Sequence, residues 1–127
     1  MITLNPQYEE IFDPHNLDED CNRIAGGIDV VGETIKEILK VGMYKQAVTM
    51  YLQLLKSMTK HFIEDEHWCY FDDWYSPDFA LRQIYETILK YDIGEEAEQL
   101  LDEGHAEILA SESYQDYGIP SYILRKK

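Results

Sequence analysis

The residues best suited to chemistry lie between positions 61 and 69. They are two imidazoles, a carboxylate and a thiol, which are ligand types that zinc accepts, and they belong to His61, Glu64, His67 and Cys69. Glu64 stands one helical turn from each histidine, but the two histidines would lie about 120° apart around a helix. A single Glu-x-x-His also lacks the second motif that a di-iron bundle requires. We therefore expect ordinary solvated residues at a helix end, with a metal-dependent enzyme as an alternative.

Other catalytic patterns are missing from the sequence. It contains no glycine-rich phosphate loop, no nucleophile elbow and no His-Glu-x-x-His motif. The acids around positions 65–78 lack the loop spacing and central glycine of an EF-hand. We therefore predict a protein that is not an enzyme and that needs no cofactor.

Residues 61–76 are unusually rich in aromatic side chains, and both tryptophans of the chain lie there. Its aromatic side chains and two adjacent carboxylates are Trp68, Tyr70, Phe71, Asp72, Asp73, Trp74 and Tyr75. Tyr and Trp dominate protein–protein hot spots, and neighbouring carboxylates favour a basic partner segment. This predicts a recognition loop for another protein. The alternative is that the aromatics cap the open end of a helical stack, which must be covered by something.

The charge of the chain restricts its partners. The 127 residues carry a net charge of −14, and the stretches 7–20, 62–78 and 92–107 contain acids but no Lys or Arg. Such a surface repels nucleic acid and anionic membranes, so we expect direct binding to neither. The alternative function is an acidic mimic of nucleic acid that inhibits a DNA- or RNA-binding protein. Two cysteines and a start without a basic and apolar leader predict a cytoplasmic protein.

The apolar residues recur at spacings of three and four, which predicts four main helices in an all-α fold. Asp13-Pro14 and Ser76-Pro77 each combine a capping side chain with a proline at the first helical position. Gly42 is expected to end the first helix in the left-handed conformation. The predicted organisation is a single domain with a first hairpin at 14–62, an insert at 63–76, a second hairpin at 77–110 and an extended tail at 111–127.

Residues 42–51 resemble the second helix of a tetratricopeptide repeat (TPR). Gly42, Tyr44, Ala47 and Tyr51 occupy the positions of that family's turn glycine, turn aromatic, first small residue and next aromatic. The pattern returns fifty residues later, where Ala97 matches Ala47. A TPR repeats about every 34 residues, so roughly 16 residues are extra here, and they coincide with the aromatic insert. Where the family pairs Leu with Gly in the first helix, this chain has Thr and Ile at positions 34–35.

The resemblance implies two stacked helical hairpins that bind another protein. Because two hairpins are fewer than the three repeats that usually make a stable stack, the chain is also a possible homo-oligomer. A weaker similarity links it to the helical segments that accompany SWIM zinc fingers in bacterial proteins. The cysteine and histidine cluster of that finger is missing, so zinc binding is not implied.

Overall fold

The computed structural model of the chain describes residues 2–13, 22–65 and 77–110, which form five helices and no strand. The helices are α1 (Pro6–Ile11), α2 (Asn22–Lys40), α3 (Tyr44–Asp65), α4 (Pro77–Leu89) and α5 (Gly94–Ala110). The predicted all-α fold is therefore confirmed. Helix α3 continues to Asp65, so it includes the first three residues of the insert predicted to begin at 63. The rest of the insert and the tail at 111–127 lie outside the described residues.

A short turn joins α2 to α3, and its geometry follows from Gly42. The N–H of Gly42 donates to the carbonyl of Leu39 at 3.1 Å, and the N–H of Met43 donates to the carbonyl of Ile38 at 3.1 Å. These two bonds form the Schellman motif, which needs a left-handed residue after the helix. Gly42 supplies it with φ 83°, as the sequence predicts. Gly94, with φ 86°, has the same conformation where α5 begins.

Helix α1 was not predicted. Asn5 caps it by accepting a hydrogen bond from the N–H of Gln7 at 3.0 Å, and Pro6 occupies its first turn. This is the same combination of cap and proline that the sequence shows at Asp13-Pro14 and Ser76-Pro77, so the signal was present. At six residues the helix is too short to show an apolar period, which explains why the pattern did not reveal it.

The two hairpins lie side by side, with α2 packed against α4 and α3 packed against α5. Both hairpin turns line one groove, so α2 and α4 point in the same direction. A glycine lies at the contact of α2 with α4 and at that of α3 with α5. A Cβ built on Gly32 of α2 would stand 3.1 Å from the Ile84 side chain of α4. A Cβ built on Gly104 of α5 would stand 2.5 Å from Cδ2 of Leu52 in α3. These glycines allow the hairpins to approach closely.

The core consists mainly of the predicted faces. Ala47, Val48, Tyr51 and other apolar residues of α3 are buried at the centre, where α3 contacts each of the other four helices. Two apolar residues of α4 are exceptions, because Phe79 and Leu89 are 41% and 54% exposed. The stripe on α4 is thus wider than the face that α2 and α3 cover, and its last residue remains at the surface.

Candidate functional site

The predicted recognition loop lies outside the described residues. Trp68, Tyr70, Phe71, Asp72, Asp73, Trp74 and Tyr75 all lie outside the described residues, as do His67 and Cys69. Glu64 belongs to α3, but its side chain is likewise outside the description. The helix ends that flank this segment, at Asp65 and Pro77, lie at the opposite end of the bundle from the two hairpin turns.

His61 is the one metal-ligand candidate whose side chain is described, and it joins α3 to α1. Its Nε2 contacts the Glu9 carboxylate, and its ring stacks on Phe12 with 5.7 Å between centroids. Lys60 Nζ donates to the other Glu9 oxygen at 3.2 Å. Within residues 2–13, 22–65 and 77–110, no three His, Cys, Asp or Glu side chains come together in a way that could hold a metal ion. His61 therefore has a structural partner here.

A buried aromatic cluster links the last three helices, and the sequence analysis did not find it. The Tyr51 hydroxyl and His105 Nε2 are 2.8 Å apart, and the Tyr85 ring lies 5.8 Å from that of Tyr51 and 5.2 Å from that of His105. All three residues are buried, so the cluster offers no access to a substrate. The spacing of the residues could have indicated that His105 is buried. His105 lies four residues after Leu101 and three before Ile108, on the buried face of α5. We interpret the cluster as a structural junction.

A second polar junction holds the N-terminal segment against α3 and α5. Both Glu107 oxygens accept from the N–H of Ile2, at 3.0 and 3.1 Å, and Lys56 Nζ donates to Glu107 at 3.2 Å and to the Ile2 carbonyl at 2.9 Å. Burial acts to raise the pKa of Glu107, but the Ile2 N–H and the Lys56 hydrogen bond and charge outweigh it. The pKa of Glu107 is therefore lowered, and the carboxylate is stabilised in its charged form.

Exposed apolar side chains gather where the two hairpin turns meet. We call this the turn-end surface and define it by Val41, Met43, Tyr44, Leu89 and Tyr91. Val41, Met43 and Leu89 are 71%, 54% and 54% exposed, and the half-buried rings of Tyr44 and Tyr91 lie 6.3 Å apart. An open groove of about 640 Å³ runs between the first turns of α3 and α5 beside Met43 and Tyr44. Apolar and aromatic side chains that remain exposed together are typical of an interaction site.

The turn-end surface continues into a cleft between α4 and α5, here called the α4–α5 cleft. Its volume is about 200 Å³. Five of its lining residues are apolar or aromatic, namely Ile88, Leu89, Tyr91, Ile93 and Leu101. Two exposed carboxylates of α5, Glu98 and Asp102, complete the lining. The cleft therefore places apolar residues beside two carboxylates, which form a negatively charged rim.

Helix α5 also gives one side of the molecule a strong negative charge. Its six acids are accompanied by no Lys or Arg, and Glu95, Glu98, Asp102 and Glu103 are exposed. Lys45 reaches across from α3 to Glu96 at 3.3 Å, but both side chains are largely exposed and such a pair contributes little to stability. The acids of the predicted stretch 92–107 thus lie mainly on α5, and two of them line the α4–α5 cleft.

Comparison with known proteins does not assign this arrangement to a family. No family model matches the chain, and no curated protein and no solved structure shows significant similarity to it. The resemblances to tetratricopeptide repeats and to SWIM-associated helices thus remain predictions. Among the described helices, none is long and apolar enough to cross a membrane.

Proposed function

We propose that this protein is a non-catalytic module that binds another protein through its turn-end surface. The observation that carries the proposal is the joint exposure of Val41, Met43 and Leu89 beside the paired rings of Tyr44 and Tyr91. Water contact with this much apolar surface is unfavourable, by roughly 25 cal/mol for each Å² that a partner would cover. A partner that covers these side chains would gain that free energy.

The composition of the surface also supports protein binding. Aromatic residues and methionine are enriched in the centres of protein interfaces, and a polar rim surrounds them. Here Met43 and Tyr44 line the groove together with the exposed acid Glu95, and Tyr91 lines the α4–α5 cleft together with the exposed acid Glu98. An acidic margin favours a partner with a basic segment and speeds its association. The proposal keeps the predicted cytoplasmic location, in which two cysteines are reduced thiols.

Charge mimicry remains the second candidate, and the exposed acids of α5 are the observation that favours it. A protein that imitates nucleic acid would bind the basic cleft of a nucleic-acid-binding protein mainly through charge. Its affinity would therefore collapse at high salt, whereas contacts made by apolar side chains would persist. Salt dependence separates the two functions.

The test is affinity co-purification of the tagged chain from its native lysate at low and high salt. The decisive variant is Met43→Ser/Leu89→Ser, which removes two exposed apolar side chains without touching the core. The matched control is Val30→Ser, because Val30 is 69% exposed on α2 but lies outside the turn-end surface. We expect the decisive variant to weaken capture of the partner by at least about tenfold, as for interface hot spots, and the control to retain it.

Three results would contradict the proposal. A partner that is captured equally by both variants does not bind the turn-end surface. A partner that is lost only from a Trp68→Ala/Trp74→Ala variant binds the aromatic insert instead. A nucleic-acid-binding partner that dissociates in high salt and ignores all these substitutions would make charge mimicry the better account.

A further inference from the structure

We propose that the α4–α5 cleft receives a single bulky apolar side chain of the partner, and that Glu98 and Asp102 bind a lysine or arginine next to it. The inference rests on the proposed function and deepens it, because the cleft is continuous with the turn-end surface through Leu89 and Tyr91. The occupant is thus a peptide segment in which an aliphatic or aromatic residue stands within two positions of a basic residue.

The size of the cleft agrees with one side chain. Its volume is about 200 Å³, and an apolar cavity of about 150 Å³ in another protein accommodates benzene. Ile88, Ile93 and Leu101 line the interior and are buried, and Leu89 is exposed at the edge. A leucine or phenylalanine side chain in this cleft would make its van der Waals contacts mainly with the exposed Leu89 and the half-buried Tyr91.

The two carboxylates indicate the charge of the neighbouring residue. Glu98 and Asp102 are four residues apart on α5 and therefore stand on the same face, where two like charges repel each other. Neither forms an ion pair with any residue of the described part of the chain, unlike Glu96 and Glu107 on the same helix. A cation placed between them would relieve the repulsion and form two charge-assisted hydrogen bonds.

The same charge argues against the other occupants of the cleft. A second copy of this chain would bring another net charge of −14 to the acidic side of α5. Nucleic acid and anionic lipid would meet the same repulsion. A basic peptide is the occupant whose charge complements this rim.

The experiment is selection from a displayed library of random nine-residue peptides on the immobilised full chain. We expect the enriched peptides to combine Leu, Ile or Phe with Lys or Arg within two positions. The best of them, synthesised with a fluorescent label, should bind the Glu98→Gln/Asp102→Asn variant about tenfold more weakly, as expected for the loss of two partly exposed ion pairs. Leu89→Ser should weaken binding as well.

The matched control is Glu33→Gln/Glu37→Gln. It removes the same two charges, also four residues apart and exposed, but from α2. If the peptide were attracted only by the overall negative charge, both double variants would weaken its binding equally. A larger effect of Glu98→Gln/Asp102→Asn would indicate a local site. We expect the control to change affinity by less than about twofold, and unchanged far-UV circular dichroism to show that each variant is folded.

Several outcomes would overturn the inference. They are the absence of enriched peptides, enrichment of peptides without basic residues, and equal effects of the two double variants. A dimer that is lost on Leu89→Ser would make a second copy the occupant. Tighter peptide binding after deletion of residues 123–127, whose sequence Ile-Leu-Arg-Lys-Lys has the same chemistry, would make the chain's own end the occupant. A native partner that needs Met43 and Leu89 but ignores Glu98 and Asp102 would refute this inference alone.

Discussion

Replacing Gly104 with alanine tests the close approach of α3 and α5. An added Cβ would stand 2.5 Å from Cδ2 and 2.9 Å from Cγ of Leu52, a residue that is only 2% exposed. Nonbonded carbon atoms prefer a separation of about 3.5–4.0 Å, so the Leu52 side chain would have to move by about 1 Å within a packed core. We therefore expect Gly104→Ala to be unfavourable, although alanine is the better helix former.

Two opposing terms set the magnitude. Overpacking of a core costs about 1–3 kcal/mol, and the change from glycine to alanine inside a helix gains about 1 kcal/mol. The net destabilisation expected for Gly104→Ala is therefore about 0–2 kcal/mol. Gly26→Ala on α2 provides the control, because nothing lies within 4 Å of a Cβ built there. That variant should gain about 0.5–1 kcal/mol from helix propensity alone.

Urea unfolding followed by circular dichroism measures both variants, since a domain of this size is expected to unfold in a two-state manner. The difference between the two substitutions cancels helix propensity and leaves the packing term of about 1–3 kcal/mol. A double-mutant cycle localises that term. In a Leu52→Ala background the obstructing methyl groups are gone, so Gly104→Ala should be stabilising there.

The reasoning would be refuted if Gly104→Ala stabilised the protein as much as Gly26→Ala does. It would also be refuted if the effect of Gly104→Ala were the same with and without the Leu52 side chain. Either result would mean that α3 and α5 do not approach each other at this glycine.

Three further substitutions test individual contacts by the same unfolding assay. Tyr51→Phe removes the hydroxyl that is hydrogen-bonded to His105 and should lower the free energy of unfolding by about 1–3 kcal/mol. Tyr91→Phe, at a half-buried ring, should lower it by less. Equal losses would contradict a structural role for the Tyr51–His105 hydrogen bond. Gly42→Ala should cost about 1–2 kcal/mol through backbone strain alone, since space around it is open, and Gly42→Asn should cost less. Glu107→Gln should cost about 1.5 kcal/mol at neutral pH. Because the folded-state pKa of Glu107 is lowered, its contribution is complete above the unfolded pKa of about 4.3 and is lost as pH falls through the folded value. A stability gap that persisted unchanged in acid would contradict the assignment.

Local patterns in the sequence were sufficient to predict the four main helices and one turn. The apolar period of α3 correctly predicted that Ala47, Val48 and Tyr51 are buried, because a helix places residues three and four apart on the same face. Gly42 predicted the end of α2, because a left-handed residue after a helix is a local requirement that glycine meets. Periodicity did not reveal α1, whose six residues are too few to repeat a pattern.

The candidate site was less accessible to sequence reasoning. The aromatic insert was conspicuous by composition, and its role as a recognition loop stays a prediction. The sequence did not predict the turn-end surface, because Leu89 has the same three-and-four spacing as the buried residues of α4. Periodicity shows which residues share a face but not how much of that face other helices cover. The α4–α5 cleft depends on Glu98 and Leu101 of α5 lying near Ile88 and Leu89 of α4, and no spacing within α5 predicts that contact.

The sequence by itself thus determined the four main helices, the apolar period of each, and that the molecule is strongly acidic. All of these depend on residues a few positions apart or on a sum over the chain. Only the tertiary structure decided that His105 forms a hydrogen bond with Tyr51, 54 positions away in the sequence. It likewise decided that Glu107 accepts a hydrogen bond from Ile2, 105 positions away. It also decided that Gly32 and Gly104 lie where the hairpins approach each other closely. The physical reason is that an apolar helix face must be buried against some other part of the protein. Which helix covers it depends on how all the helices pack together.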